Sequence, residues 1–448
     1  MKPSSFHHRH LLIFIFSFLI LISCSLQKQI SKSATQLVLK DSSLTTAHVG
    51  ISIYEPATNK YWFNYQGDHY FVPASNTKIP TCYAAMKYLG DSLVGIVKVE
   101  NDTAIFFLPA ADPTLLHPDF INQPVINFLQ KSNKKIFTTD VKWKTRTLGS
   151  GWAWNDYNES YMAERSPMPV YGNLIKWVQD NTTDPASIYS IPEVNWKVDF
   201  NPGVSNIFLV RRNLGGNVYS LSTGKEKHKE QFVPFATDGI KSTLELLGDS
   251  LHKTIELMTE KSFQNIFSNK NSEGRGLKTQ PTDSLLKTMM HRSDNFFAEQ
   301  TLLMVSNELL GVMSDEKIID TLLKTDFKDL PQKPRWADGS GLSRYNLFTP
   351  QDFVAIFNKM KNEFGIDRIK LIFPTGNEGT LNNYYKSESG YLFGKTGSLS
   401  SVVALSGFLY TKKNKLLIFS VLVNNHNASA TAVRRAVEKF IQGIREKF

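Results

Sequence analysis

A serine and a lysine placed three residues apart, Ser75 and Lys78, are the first residues whose types and spacing could do chemistry. An apolar approach and a proline precede them, and an apolar helical pattern follows. Residues three apart share one face of a helix, so the lysine amine can lie beside the serine hydroxyl. A lysine in a dry pocket is pushed toward its neutral form, which can accept the serine proton. The pair therefore indicates a serine nucleophile with a buried lysine base.

The spacing alone is not selective, because six other serines are also followed by lysine three residues later: Ser25, Ser132, Ser222, Ser250, Ser284 and Ser314. Two further motifs distinguish Ser75. Ser293-Asp294-Asn295 and Lys395-Thr396-Gly397 each occur once, in that order after Ser75. The ordered set Ser-x-x-Lys, Ser-x-Asn and Lys-Thr-Gly is typical of penicillin-recognising serine enzymes. We therefore predict Ser75 as the nucleophile.

The second motif is expected to move protons around an acyl carbonyl that Ser75 attacks. Lys78 takes the serine proton, and Ser293 can relay it to the leaving amine. Asn295 can hydrogen-bond both the substrate backbone and Lys78.

The third motif is expected to bind the substrate. Lys395 keeps the local field positive, which lowers the basicity of the lysine base and attracts a substrate carboxylate. The backbone N–H groups of Ser75 and Ser398 are the natural oxyanion hole. A strand over 395–400 can pair with an extended peptide. The residues assigned to substrate binding on this strand are Thr396, Gly397 and Ser398.

The chain resembles class C low-molecular-weight penicillin-binding proteins, a family of serine-type D-Ala-D-Ala carboxypeptidases and endopeptidases. More than two hundred residues separate Ser75 from Ser293, as in that class, whereas class A β-lactamases have a far shorter gap. Four further stretches carry the resemblance: Asp-Pro-Thr-Leu at 112–115, Gly-Trp-Ala-Trp-Asn-Asp at 151–156, Asp-Gly-Ser-Gly-Leu-Ser-Arg at 338–344 and Gly-Asn-Glu-Gly-Thr-Leu at 376–381. The resemblance implies D-alanine release from peptidoglycan stem peptides, acylation of Ser75 by β-lactams such as penicillins, and no cofactor.

The resemblance also implies a pocket for the amino end of a stem-peptide side chain. Asp156 would bind this ammonium group, which is physically sensible in a semi-exposed pocket. The other residues of the pocket would be Tyr161, Leu342, Arg344, Leu399 and Ser400. A turn-capping aspartate is the alternative interpretation of Asp156.

Two stretches depart from the family pattern. Ala110-Ala111 stands where glycines are usual, and Asn377-Glu378 replaces a more common Val-Asp. Glu378 also begins a Glu-x-x-Leu-Asn sequence like that of class A β-lactamases, but it lies much nearer to Lys395 than in those enzymes. We assign Glu378 no catalytic role.

The elements that must position these residues come from both ends of the chain. Alternating patterns at 47–54 and 61–66 predict a β-hairpin. Three strands and an amphipathic helix are predicted near the other end, at 391–396, 401–410, 416–424 and about Ala428 to Lys447. We expect an α/β (α+β) fold of the penicillin-recognising serine transpeptidase-like type, with an antiparallel sheet flanked by helices. Residues 91–265 are predicted as an inserted β-rich domain, so 24–90 and 266–448 form the catalytic domain.

The first residues have the pattern of an export signal. Basic residues precede an apolar run over Leu11 to Ile22, which is short for a membrane span and suits a signal peptide over 1–23. Leu21-Ile22-Ser23-Cys24 resembles the bacterial lipobox, which predicts lipidation at Cys24 and a cell-envelope lipoprotein facing the periplasm. An unlipidated signal peptide or an anchor helix is the alternative. The second cysteine, Cys82, is predicted to be a buried core residue.

The composition disfavours several other functions. The net charge of +10 suits contact with anionic lipid or cell-wall polymer, but the basic residues are scattered and indicate no nucleic-acid partner. No histidine pattern indicates a metal site. Two alternatives remain open: a β-lactamase, and a catalytically silent lipoprotein that binds cell-wall peptide.

Overall fold

The structure of the chain is a computed structural model that describes residues 27–182, 187–201, 206–267 and 275–448. The predicted signal peptide over 1–23 and the predicted lipidation site Cys24 lie outside the described residues. The chain divides into two compact units. The first unit comprises Met1–Asn76, Leu330–Pro334 and Leu347–Phe448, and the second comprises Thr77–Asp329 and Arg335–Asn346.

The described part of the chain contains both strands and helices. The strands are β1 (His48–Glu55), β2 (Lys60–Tyr65), β3 (Ser92–Glu100), β4 (Ala104–Pro109), β5 (Lys135–Thr138), β6 (Leu174–Asp180), β7 (Ser187–Ile191), β8 (Val198–Phe200), β9 (Leu209–Arg212), β10 (Tyr219–Ser222), β11 (His228–Pro234), β12 (Ile255–Leu257), β13 (Arg275–Pro281), β14 (Leu392–Leu399), β15 (Val402–Tyr410) and β16 (Leu416–Asn424). The α-helices are α1 (residues 27–34), α2 (Lys78–Tyr88), α3 (Pro124–Lys131), α4 (Lys241–Leu251), α5 (Glu260–Phe267), α6 (Thr282–Arg292), α7 (Asn295–Leu310), α8 (Asp315–Lys324), α9 (Pro350–Phe364), α10 (Ile366–Ile372) and α11 (Ala430–Lys447).

The first unit is built on one five-stranded sheet with the order β14-β15-β16-β1-β2. Every neighbouring pair in this sheet is antiparallel. The hairpin near the start of the chain thus joins the last three strands, which confirms the predicted sheet and fold class. Strand β14 is at one edge of the sheet.

Helices cover both faces of this sheet. On one face, α11 packs against β15 and against a helical turn that follows α1. The apolar stripe of α11 is buried, as its periodicity predicts, and consists of Val433, Val437, Phe440, Ile441 and Ile444. On the other face, Phe357 of α9 packs edge-on against Phe408 of β15, at 5.1 Å between ring centroids. Burial of side chains of this size stabilises the unit by about 1.5–3 kcal/mol each.

The second unit combines three small sheets with a group of helices. The sheets have the orders β12-β5-β4-β3-β13, β11-β6-β7 and β8-β10-β9. In the helical group, α7 packs against α2, α6 and α8. The unit begins at Thr77, so it contains α2 as well as the predicted inserted domain over 91–265. The proposed boundaries of that inserted domain stay a prediction.

A helix that crosses a bilayer needs about 20 predominantly apolar residues. None of those in the described ranges is both long and apolar enough to cross a membrane.

Candidate active site

Ser75, the predicted nucleophile, lies in the first unit, on a short 3-10 turn over Ala74–Thr77. The preceding chain is held to β16, because the Val72 N–H donates to the Asn424 side-chain oxygen (2.7 Å) and the Asn424 amide donates back to the Val72 carbonyl (3.0 Å). Ala74 has φ of 47°, in the left-handed region, which turns the chain sharply just before Ser75. The backbone segment before Ser75 is therefore held to β16 by two hydrogen bonds.

A buried asparagine anchors the same turn to the sheet. The side-chain amide of Asn76 donates to the Ser406 hydroxyl on β15 (2.7 Å), which donates in turn to Ser420 on β16 (2.8 Å). Asn76 has no exposed surface. Sequence reasoning passed over Asn76 because the Ser-x-x-Lys spacing leaves that position open, although a buried amide beside a nucleophile is the available signal.

Strand β14 lies close to the backbone of Ser75. A Cβ placed on Gly397 would lie 3.1 Å from the Ser75 nitrogen and 2.7 Å from the Pro73 carbonyl oxygen. Only glycine leaves room for so close an approach of two backbone segments. The predicted third motif and Ser75 are thus brought together within the first unit.

The other residues of the third motif differ in their exposure. Lys395 is buried, and its amine donates to the Thr396 carbonyl (2.7 Å). The Thr396 hydroxyl donates to the Thr380 hydroxyl (2.7 Å), while Ser398 is exposed. Leu399 ends β14, and Ser400 lies in the turn that leads to β15.

Lys78, the predicted base, lies in the second unit, at the first position of α2. Its side chain is completely buried, and its amine donates to the Asn295 side-chain oxygen (2.7 Å) and to the Ser340 carbonyl (2.8 Å). Burial lowers the pKa of Lys78 to about 8, although the carboxylates of Asp294 and Asp338 raise it. At neutral pH an appreciable fraction of Lys78 is therefore neutral and able to accept a proton.

The Ser-Asp-Asn motif joins two helices of the second unit. Ser293 ends α6 with φ of 59°, in the left-handed region, and Asn295 begins α7. Asp294 caps α7 by accepting from the Phe297 N–H (2.9 Å). The structure therefore brings Asn295 to Lys78, as predicted, and the Asn295 amide also donates to the Tyr161 carbonyl (3.0 Å).

A tight loop over 338–343 supplies the second acceptor of Lys78. The buried carboxylate of Asp338 accepts from the Gly341 N–H (2.8 Å), the Ser343 N–H (2.6 Å) and the Trp152 indole (3.0 Å). These bonds fix the loop so that the Ser340 carbonyl is held at the lysine amine. The motif at 338–344 therefore has a positioning role in the second unit.

A network of buried charged side chains binds this loop. Glu299 of α7 accepts from the Ser340 N–H (2.7 Å) and pairs with Arg165 (3.2 Å), which also pairs with Asp315 (2.6 Å). Burial, and then the charge of Asp338, raises the pKa of Glu299, while Arg165 lowers it. Sequence reasoning missed this network. Its available signal was an acid one helical turn after Asn295 in an otherwise apolar stretch of α7.

The residues predicted to form the stem-peptide pocket do not all belong to the same unit. In the second unit, Asp156 ends a 3-10 turn, and the Tyr161 hydroxyl is hydrogen-bonded to its carboxylate. Burial and this hydrogen bond raise the pKa of Tyr161 to about 12. Leu342 and Arg344 belong to the same unit, half-buried and exposed respectively, whereas Leu399 and Ser400 belong to the first unit.

In the first unit the antiparallel sheet brings its edge strand against the Ser75 turn, and in the second unit Lys78 is buried against Asn295; these are the features of a serine hydrolase of the penicillin-recognising class. The chain belongs to the D-Ala-D-Ala carboxypeptidase 3 (S13) family, whose sequence profile matches residues 31–444. This membership makes it a serine-type D-Ala-D-Ala carboxypeptidase, as the sequence predicted.

Characterised relatives extend over nearly the whole chain. The chain is 24% identical over 452 residues to the D-alanyl-D-alanine carboxypeptidase DacB of Haemophilus influenzae, covering 92% of each protein. It is 22% identical over 458 residues to a D-alanyl-D-alanine carboxypeptidase of Actinomadura, covering 89% of this chain and 82% of that one.

Solved structures show the same fold. The crystal structure of penicillin-binding protein 4 from Haemophilus influenzae matches with a TM-score of 0.69 at 19% identity, covering 92% of this chain and 98% of that one. A predatory endopeptidase from Bdellovibrio bacteriovorus, solved with its immunity protein, matches with a TM-score of 0.53 at 13% identity, covering 89% and 92%.

Proposed function

We propose that this protein removes the terminal D-alanine from peptidoglycan stem peptides through an acyl-enzyme on Ser75. The observation that carries the proposal is the state of Lys78. Its amine is fully buried, its pKa is lowered to about 8, and it follows Ser75 by three residues on one continuous helical segment. A base that is partly neutral at neutral pH is what a serine nucleophile requires.

The proposed reaction has two steps. The Ser75 oxygen bonds to the carbonyl carbon of the penultimate D-alanine, and its proton passes to the neutral amine of Lys78. The C–N bond then breaks, and the leaving D-alanine nitrogen takes a proton through Ser293. Water attacks the resulting ester, gives a proton to Lys78, and releases the shortened peptide, after which Ser75 regains its proton.

The remaining site residues are proposed to hold the substrate. Asn295 fixes the Lys78 amine and can accept a hydrogen bond from the substrate backbone. The N–H groups of Ser75 and Ser398 stabilise the oxyanion, supported by the close approach of Gly397 to Ser75. Lys395 and Thr396 supply positive charge and a hydroxyl for the substrate carboxylate.

Cleavage of peptide cross-links is a second activity that the position of β14 favours. This strand is at the edge of its sheet, so an extended peptide can add to it by backbone hydrogen bonds. One of the structural matches is an endopeptidase, so this fold is compatible with such a reaction.

Labelling with a fluorescent penicillin and release of D-alanine from a peptide ending in D-Ala-D-Ala test the proposal together. We expect both in the wild-type protein and neither in Ser75→Ala. Ser284→Ala is the matched control, since Ser284 is exposed and is also followed by lysine three residues later. Wild-type protein that shows neither signal would indicate a silent cell-wall-binding protein, and fast turnover of a chromogenic cephalosporin would indicate a β-lactamase.

We further propose that Asp156, with Tyr161, Leu342, Arg344, Leu399 and Ser400, binds the free amine of the stem-peptide side chain. The hydrogen bond between Asp156 and Tyr161 supports a carboxylate held ready at a half-exposed surface. Asp156→Asn is expected to raise KM for a peptide with a free side-chain amine and to leave KM for the acetylated peptide unchanged. Equal KM changes for both peptides would contradict this assignment.

We also propose that the protein is exported and anchored through a lipid on Cys24. The proposal rests on the apolar run over Leu11 to Ile22 and the lipobox sequence that follows it. Metabolic labelling with a fatty acid is expected in wild-type protein and not in Cys24→Ala. Equal labelling of both proteins would exclude this anchor.

A further inference from the structure

Arg434 of α11 contacts the third motif from a helix that no motif includes. Its guanidinium donates to the Ser398 hydroxyl (2.6 Å) and lies over the Tyr384 ring, 6.0 Å from its centroid. The side chain is half-buried. All three residues belong to the first unit, together with Ser75 and Gly397. A permanent positive charge is therefore held beside the strand that runs past the nucleophile.

This guanidinium has no carboxylate partner among the described residues. The neighbouring Arg435 differs, because it pairs with Glu438 and also donates to the Asn383 carbonyl (3.0 Å). The Arg434 guanidinium is therefore half-exposed and not neutralised by a carboxylate of the described chain, which leaves its charge accessible to an anion. Arginine presents a planar fork of donors that fits a carboxylate in two hydrogen bonds. Arg434 thus has the chemistry of an anion receptor.

The hydroxyl that Arg434 contacts is also ready to donate. A serine oxygen has one O–H donor and two lone pairs. Because the guanidinium donates to one lone pair of Ser398, the hydroxyl proton is left to bind a second acceptor. Thr396 lies two residues earlier on β14, so its side chain is on the same face of the strand. The Thr396 hydroxyl already donates to Thr380, so within this row of groups the Ser398 hydroxyl and the Arg434 guanidinium are the donors that an anion can bind.

The position of this row relative to Ser75 identifies the anion. Gly397 lies against the Ser75 nitrogen, and Ser398 is the next residue of the strand. In a substrate ending in D-Ala-D-Ala, the terminal carboxylate carbon is three bonds from the scissile carbon, within about 4 Å. A substrate whose scissile carbon is at Ser75 therefore brings its terminal carboxylate close to Ser398.

We infer that Arg434 recognises the free carboxylate of the terminal D-alanine, both directly and by orienting Ser398, and so favours the carboxypeptidase reaction over cross-link cleavage. This inference rests on the proposed function. Arg434 is a specificity-determining residue in this account. A peptide that continues beyond the scissile bond has no carboxylate there and gains nothing from the guanidinium.

Matched pairs of ligands test the inference. The first pair is a synthetic tripeptide ending in D-Ala-D-Ala and the same tripeptide with a C-terminal amide. The second pair is benzylpenicillin and its methyl ester, followed by the rate of Ser75 acylation. The proteins are wild type, Arg434→Gln, Arg434→Lys, and the control Lys439→Gln, which removes an exposed positive charge from the same helix.

We expect Arg434→Gln to lower kcat/KM for the free acid by about 10- to 100-fold, the range of a lost hydrogen bond to a charged group. The amide should change by less than about threefold, because it lacks that charge. Arg434→Lys should lose less than Arg434→Gln, and Lys439→Gln should behave as wild type. The acylation rates should follow the same pattern, with penicillin affected and its ester unaffected.

Three results would overturn the inference: an unchanged free acid rate in Arg434→Gln, equal losses for both members of a pair, or an equal loss in Lys439→Gln. The thermal midpoint of each variant shows whether folding is intact. The two ligand pairs also separate the two proposals. If penicillin acylates Ser75 but no D-alanine is released, the proposed function fails, while the penicillin and ester rates still decide the role of Arg434.

Discussion

Ser75 and Lys78, the proposed nucleophile and its proposed base, are held in place by different kinds of interaction. In the first unit, the turn that carries Ser75 is fixed by the neutral Asn76–Ser406–Ser420 series and by the close approach of Gly397. Lys78 lies among buried charges of the second unit. Neutral hydrogen bonds and packing can fix a position, whereas the pKa of a buried lysine depends both on its burial and on the charges around it. We therefore expect the two regions to respond differently to substitution.

The largest effect is expected at the base itself. Lys78→Arg keeps the positive charge, but a guanidinium stays protonated at every accessible pH and cannot accept the serine proton. Acylation of Ser75 by penicillin should slow by about 10²–10⁴-fold, the usual contribution of a general base. Lys87→Arg on the same helix is the control and should leave the rate unchanged. A wild-type rate in Lys78→Arg would mean that another group is the base.

Removing the central cation of the charged region should mainly affect stability. Arg165→Met leaves Glu299 and Asp315 without their shared partner, which should lower the free energy of unfolding by about 3–5 kcal/mol. Thermal denaturation measures this loss. Lys324→Met, which breaks an exposed pair with Asp320, should not change the midpoint measurably. Equal midpoints for both variants would show that burial does not distinguish these pairs.

A substitution near the Ser75 turn should reduce the acylation rate more clearly than it reduces the free energy of unfolding. Asn76→Ala removes the bond to Ser406 and should lower the free energy of unfolding by about 1–2 kcal/mol. Because the turn that carries Ser75 is then less well fixed, acylation should slow by about tenfold. Asn64→Ala breaks a similar bond to Ser52 elsewhere in the same sheet and should leave acylation unchanged. Equal slowing in both variants would assign the effect to general loosening of the sheet.

The smallest effect is expected in the pH profile. Acylation requires neutral Lys78, so its rate should rise as pH increases through the Lys78 pKa of about 8. The negative charge of Glu299 raises that pKa, so Glu299→Gln should move the rising limb to lower pH, by about half a unit. Below the pKa of Glu299, where the wild-type carboxyl is protonated, the two profiles should converge. Glu308→Gln on the same helix should not move the limb, and a shift to higher pH in Glu299→Gln would contradict this charge effect.

The sequence was most informative where the chemistry depends on residue order. Alternation of apolar residues predicted the sheet formed from both ends of the chain, which the structure confirms. The three motifs indicate Ser75 as the nucleophile, and that assignment stays a prediction. The contact between Lys78 and Asn295 was also predictable, because a buried amine needs acceptors. These features depend on local pattern or on a few obligatory partners.

The residues that contact the motifs from distant parts of the chain could not be predicted from local pattern. Arg165 and Glu299 are separated by more than a hundred residues, and only the folded chain shows that they pair. Arg434 is one of several basic residues on an amphipathic helix, and its sequence gives no sign that Ser398 is its partner. A single charged residue on a helix is usually a solvated surface group, so tertiary contacts alone distinguish it.

Cys82 provides a reporter for the helix that carries the base. Its thiol is fully buried on α2, one turn after Lys78, and it forms no disulfide within the part of the chain that the structure describes. A thiol reagent can reach it only when α2 opens, so the reaction rate in a Cys24→Ser background measures the free energy of that local opening. Penicillin acylation that stabilises this region should slow the reaction. The one buried cysteine of α2 thus allows local unfolding beside the catalytic base to be measured without any added label.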